Sequence, residues 1–238
     1  MTAQFDFTAW VSRARQLMAE LGGRPGFELD PWMDAPPLSP REVDALSSRI
    51  GHQLPDTLRG FLERGAAVLA CRYTFEYDPD DEAAAAAFLE LFPYQTSIYG
   101  GPVFGPADTL PDFAQSCAEW ADQFDEAGDP AEGRRWRHAV PVIAVKNGDY
   151  IALDGAGPAR DASDPPVVYL SHEGESALLA ASFTEFLATW ERLCYLGPEI
   201  WLLDEFRGPD GFIAAEGPAT GKLRRLLGAP AGTSPPVA

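Results

Sequence analysis

Basic residues are scarce in this sequence. Eighteen Lys and Arg stand against 36 Asp and Glu, giving a formal net charge of −18 and a pI near 4.4. A surface of that sign repels the phosphates of DNA and RNA and anionic lipid headgroups, and attracts basic proteins. Cysteine is scarce too. Cys71, Cys117 and Cys194 lie far apart with no CxxC pair, an arrangement that reads as buried thiols in a reducing cytoplasm. Only three histidines occur, His52, His138 and His172, with no metal-ligand spacing to one another or to the cysteines. No apolar run approaches the roughly 20 residues that span a bilayer. The opening MTAQFDFTAW lacks the basic and apolar regions of a secretory signal. A cytoplasmic protein that contacts neither nucleic acid nor membrane is expected, with no cofactor and no metal.

Motifs of catalysis are also missing. There is no GxSxG elbow, no HExxH and no GxxxxGK[ST]. The stretch GGPVFG from Gly100 to Gly105 has no Lys-Ser/Thr pair after it and so makes no phosphate loop. The acidic run Asp78 to Glu82 lacks the alternating spacing, turn glycine and distal Glu of an EF-hand. It reads as a cluster capping the alanine-rich helix that follows. A dispersed catalytic triad leaves no local signature, because triads are defined by geometry.

What the sequence has is a central hairpin. Val140 to Asp154 reads VPVIAVKNGDYIALD, two apolar β-branched runs joined at Asn147-Gly148. Asn-Gly predicts a two-residue type I′ turn. Runs apolar on both faces predict a hairpin in the middle of a sheet, covered on both sides. Asp149 and Asp154 read as turn-fixing residues, and His172 as a hydrogen-bonding turn residue rather than a general base.

Helices surround this hairpin. The first starts near Thr8, with Val11, Ala14, Met18 and Leu21 at helical spacing and Gly22-Gly23 as its stop. The prolines of Arg24 to Leu38 predict an irregular connector pinned to the core by Trp32. Ser39-Pro40-Arg41-Glu42 is a capping box with Pro at the first helical position, heading the stripe Val43, Leu46, Ile50. Leu54-Pro55-Asp56 starts the next helix, closed by Gly65, and Val68 to Tyr77 reads as one strand. Phe113, Cys117, Trp120, Ala121 and Phe124 mark an apolar helical face. Glu119 to Glu132 holds six acids, read as a solvated face that also offers a docking patch. A second capping box at Ser182-Phe183-Thr184-Glu185 heads the most strongly apolar helix. Shorter helices are expected at 198–206 and 216–227, with disorder from Gly228 onward.

The order of these pieces resembles the SMI1/KNR4 family, the SUKH superfamily. The residues that carry the likeness are Ile50-Gly51, Leu54-Pro55, Phe61-Leu62 and Gly65; then Pro141, Gly148-Asp149 and Leu153-Asp154; then Val168-Tyr169, His172-Glu173, and Ser182-Phe183 with Phe186-Leu187. They span roughly Ser39 to Leu196. Where the family pattern usually has Glu, three residues before Ile50, this chain has Ser47. The resemblance implies an α+β fold, with a mostly antiparallel central sheet flanked by helices. The family-like domain is expected over 39–206, with an N-terminal helix and Pro/Gly-rich connector over 1–38 and a C-terminal extension, a helix then a disordered tail, over 207–238, neither of which the resemblance accounts for. It also implies a non-catalytic binding protein, of the kind by which bacteria neutralise toxins. The partner is then a cognate protein toxin, basic and with a nuclease among the candidates, bound by this chain as a monomer or a homodimer. Candidate contacts are the acids Asp78, Asp80, Asp81, Asp122, Asp125 and Glu126, with Tyr94, Tyr99 and Trp32 as aromatic anchors. A regulatory interaction scaffold, like the fungal relatives, is the second reading, and an unrecognised enzyme the third.

Overall fold

Helix starts follow the capping chemistry written in the sequence. In the computed structural model, which describes residues 5–156 and 163–229, Ser39 and Glu42 complete a capping box. The Glu42 N–H donates to the Ser39 hydroxyl, and the Glu42 carboxylate accepts from the Ser39 N–H at 2.8 Å. Asp6, two residues before the expected Thr8, caps the first helix by accepting from the Ala9 N–H at 2.9 Å. Asp81 accepts from the N–H groups of Ala83 and Ala84, satisfying donors that a helix leaves unpaired in its first turn.

In chain order the elements are α1 (Phe7–Gly22), β1 (Phe27–Leu29), β2 (Met33–Ala35), α2 (Pro40–Ile50), α3 (Asp56–Arg64), β3 (Val68–Ala70), β4 (Tyr73–Glu76), α4 (Glu82–Leu91), β5 (Ser97–Gly100) and β6 (Val103–Phe104). There follow α5 (Leu110–Glu126), α6 (Pro130–His138), β7 (Val140–Ala144), β8 (Tyr150–Leu153), β9 (Val167–Leu170), β10 (Ala177–Ala180), α7 (Phe183–Arg192), α8 (Ile200–Leu203) and α9 (Pro218–Leu226). The fold is α+β with small antiparallel sheets.

The chain forms two compact units, each assembled from distant segments. One gathers residues up to 33, 70–103 and from 187 onward. Its sheet has the order β1-β4-β5, with Phe27 opposite Phe75 and Tyr73 opposite Gly100. Trp10 and Trp190 are fully buried in it, and both indoles find backbone acceptors, Leu187 and Leu196. After α7, Cys194 and Tyr195 adopt left-handed backbone angles (φ 55° and 57°), uncommon for residues with a side chain. Edge-on packing of the buried Tyr195 ring against Trp10 and Trp190 holds them there.

The other unit comprises residues 34–69 and 104–186. Its sheet has the order β10-β9-β8-β7, antiparallel throughout. Tyr150 and Ala152 of β8, with Val168 and Leu170 of β9, face Cys117, Ala121 and Trp136 of α5 and α6. The next residues along each strand, Ile151 and Val167, point to the opposite face and are equally buried. A third set of short strands has the order β2-β3-β6.

The structure departs from the sequence expectations at identifiable points. The hairpin is present, but β7 is an edge strand. Pro141 has no N–H for a second neighbour, and the ladder bulges between Pro141 and Ile143. Helix α5 packs against the strand and keeps most of it buried. In the turn, Gly148 N–H donates to the Val145 carbonyl at 3.1 Å, and within the turn only Gly148 has a positive φ (99°). Lys146 and Asn147 therefore occupy the corners, with Gly148 in the left-handed position after them, and the turn is not type I′.

The run from Val68 to Tyr77 is two strands. β3 pairs with β2 and β6, while β4 pairs with β1 and β5. Between them the Cys71 carbonyl lies where a Cβ on Gly101 would stand 1.9 Å away. The connector holds β1 and β2, each short enough to fit between prolines, and Trp32 is only half-buried. Ile50 is half-buried as well. Helix α6 and strand β10 formed no part of the sequence reading. Half of the loop from Gly155 to Pro166, residues 157–162, and most of the tail expected to be disordered from Gly228 lie outside the described residues.

Gly101→Ala should cost at least about 2 kcal/mol in urea unfolding, because φ is +113° and the new methyl meets backbone that cannot move aside. Ser39→Ala should cost about 1 kcal/mol in the same measurement, the usual loss for a cap.

Candidate functional site

Asp149 is the most heavily bonded side chain at the hairpin tip. It is 3% exposed. One oxygen accepts from the Tyr169 hydroxyl and the Asn147 amide, both at 2.6 Å. The other accepts from the His172 N–H at 2.9 Å and faces His172 Nδ1 at 2.6 Å. An ionised carboxylate only accepts, so Nδ1 carries the proton in that contact. Burial pushes the Asp149 pKa up, but the hydrogen bonds from Tyr169, His172 and Asn147 outweigh it and hold the carboxyl below its ordinary 3.8. The His172 ring packs 4.9 Å from Trp120 of α5. The network ties a turn, a strand and a helix together, as the turn-fixing reading of Asp149 and His172 anticipated.

The acids between Glu119 and Glu132 are mostly engaged within the chain. Arg137 binds Asp122 at 2.7 Å and Asp125 at 2.8 Å. Asp129 caps α6, and Glu119 accepts from Gln115. Glu132 is buried, holding the Trp136 indole, Arg135 and the Ser176 hydroxyl. Glu126 is exposed, with no partner among the described residues.

The remaining candidates lie in the other unit. The Asp78 carboxylate accepts from the Asp80 N–H, Asp81 caps α4, and Asp80 is exposed. Tyr94 is 93% exposed. Tyr99 is half-buried and packs edge-on to Trp201, which is 42% exposed. Burial and the neighbouring Glu199 carboxylate push the Tyr99 phenol pKa up. The cysteines are buried free thiols. Burial raises the pKa of Cys117 to about 12, and burial raises that of Cys194 to about 11, so both stay protonated near neutrality.

One depression escaped the sequence reading. A cavity of about 440 Å³ in the second unit is lined by His52, Leu54, Asp56, His138, Val140 and Asp154, among others. Leu54 and Val140 give it an apolar wall. Asp154 is nine-tenths buried and fixed by its backbone, whose N–H donates to the Pro166 carbonyl at 2.8 Å. Gly155 can follow because it has no side chain: a Cβ there would lie 2.0 Å from the His138 carbonyl. The Thr57 N–H and hydroxyl at the start of α3 both donate to the carbonyl of Ser163, another lining residue. The only sequence signal was the acid at the end of a strand, which served equally well as a turn residue. Among the described residues, no group of three His, Cys, Asp or Glu is placed to hold a metal ion, and no helix is long and apolar enough to cross a membrane.

Small antiparallel sheets with helices packed on them, and acids displayed between the elements, define an α+β domain of the kind the residue pattern pointed to. Residues 37–189, well over half of the chain, match the SMI1 / KNR4 family (SUKH-1), and the chain belongs to that family. The family is known for immunity-type proteins. None of the curated proteins searched matches this chain.

Asp149→Ala should lower stability near pH 7 by about 3 kcal/mol, since it leaves buried donors on Tyr169 and His172 without their acceptor. The folded carboxyl titrates below its unfolded value, so its contribution is present above about pH 4 and is lost as the pH falls through the folded pKa. Urea unfolding between about pH 3 and pH 7 should therefore show a shallower acid loss in the variant than in the parent.

Proposed function

We propose that this protein is a non-catalytic immunity protein that neutralises a cognate bacterial toxin by binding it directly. The family match over residues 37–189 carries the reading. The net charge of −18 supports a basic partner, such as a nuclease, and disfavours nucleic acid and anionic membrane. The binding domain of this reading is 39–206, with 1–38 and 207–238 as extensions, and it works in the cytoplasm. Asp78, Asp80, Asp81 and Tyr94, with Tyr99, are the proposed contacts of one unit, and Asp122, Asp125 and Glu126 those of the other. Charges of this kind steer encounter and reject wrong partners, while a few buried aromatic anchors supply most of the affinity.

Co-expression with a toxin encoded beside this gene should restore growth and give a stable complex on a sizing column. Unrelieved killing with no complex would refute the proposal. Steering by charge also predicts a salt-sensitive association. Raising NaCl from about 50 mM to 500 mM should slow association by about tenfold or more while changing dissociation much less, as read by stopped-flow fluorescence.

A further inference from the structure

The sequence contains one asparagine, Asn147, and the residue after it is a glycine. Such a pair is open to attack by the backbone on the side-chain amide. Glycine has no Cβ to screen the asparagine Cγ from the nitrogen that follows it, and its backbone turns freely. The pair stands at the tip of the β7–β8 hairpin, where Lys146 and Asn147 are both exposed.

The folded tip holds both reacting groups. Asn147 Nδ2 donates to Asp149 Oδ2 at 2.6 Å, and Asn147 Oδ1 accepts from the Asp149 N–H at 3.2 Å. A carboxylate takes only donors and an N–H only acceptors, so these two bonds fix the orientation of the amide. The Gly148 N–H is engaged as well, donating to the Val145 carbonyl at 3.1 Å. Attack requires the Gly148 nitrogen to give up its proton and reach Asn147 Cγ, and therefore requires these bonds to open. Hydrogen bonds at an exposed turn open far more often than those of a sheet interior. The partner of the amide is also the hub of the hairpin unit, because Asp149 holds the Tyr169 hydroxyl and the His172 N–H.

We propose that Asn147 is a deamidation site, gated by opening of the hairpin tip, and that its product keeps the tip from closing again. In the open tip the Gly148 nitrogen bonds to Asn147 Cγ. The Cγ–Nδ2 bond breaks, and Nδ2 leaves as ammonia with the Gly148 amide proton. Water then opens the cyclic imide at either carbonyl. Breaking the Cγ–N bond gives aspartate, and breaking the backbone C–N bond gives isoaspartate, with the chain running through the former side chain. The sum is amide plus water to acid plus ammonia, with no oxidant or reductant. An ionised carboxylate only accepts hydrogen bonds. The aspartate product puts one where the amide donated to Asp149, and two carboxylates that close cannot both stay ionised. The isoaspartate product lengthens the backbone between β7 and β8 and upsets the turn that sets their register. The conversion is one-way, and it does not depend on the immunity reading.

The test is peptide mapping by mass spectrometry of the full chain held at mildly alkaline pH, folded and in urea. The peptide carrying residue 147 should gain the mass of the amide-to-acid exchange in both samples, about tenfold or more slowly in the folded one, in proportion to the open fraction. Tyr169→Phe removes a donor from Asp149 and should convert faster than the folded parent. Equal rates folded and in urea, a folded chain that never converts, or a Tyr169→Phe rate equal to the parent's overturns the proposal. The effect of the product is read separately, by urea unfolding near neutral pH. Asn147→Ala removes the donor without adding a charge, and Asn147→Asp adds the carboxylate. The unfolding midpoint should fall from parent to Asn147→Ala and again to Asn147→Asp. An Asn147→Asp chain as stable as Asn147→Ala, or more so, refutes the claim that the product holds the tip open.

Discussion

A single buried carboxylate organises the hairpin unit. Asp149 closes the β7–β8 turn through Asn147, holds Tyr169 of β9, and takes both the backbone and the ring of His172 beyond β9. Three stretches of chain converge on one charge. Its cost of burial is met because each donor points at it, which is the condition under which a buried charge is tolerable at all. With β8 and β9 locked in register at this end, their alternate side chains fall against Trp136 and the face of α5, and the sheet acquires its core. A slip of one residue would turn that apolar set outward.

The same logic governs the acids elsewhere. A chain with a net charge of −18 suggests a uniformly negative surface, yet many of its carboxylates work as structural acceptors. Asp6, Asp81 and Asp129 cap helices, Asp122 and Asp125 share Arg137, and Glu132 holds Trp136. Exposed ion pairs of this sort contribute little stability each, but they remove local charge from what a partner can meet. Asp80 and Glu126 remain exposed. The field of the protein is therefore more textured than its composition implies, and recognition by a basic partner depends on where the uncompensated acids fall.

The cavity beside α3 contrasts with the hairpin tip. At Asp149 both oxygens accept hydrogen bonds from within the chain, whereas Asp154 accepts through Oδ1 from the Ala156 N–H and lines a depression of about 440 Å³. Two carboxylates that end up at strand or turn positions thus have different settings, one closing a turn and the other lining a cavity.

Much of the fold was legible in residue order. The caps at Ser39 and Ser182, the stop at Gly65, the Tyr73 and Phe75 alternation, and the hairpin around Gly148 all rest on interactions within a few residues of one another. Local chemistry of that range determines where elements begin and end, and the ordered set of them was enough to point to the family. Other features were beyond its reach. The edge position of β7, the division of one apolar run into β3 and β4, and the pairing of Arg137 with Asp122 and Asp125 depend on partners many residues away. The meeting of Asp56, His138 and Asp154 around one cavity is the clearest case. Each of these residues has an ordinary local role in the sequence, and only long-range packing brings them to the same space.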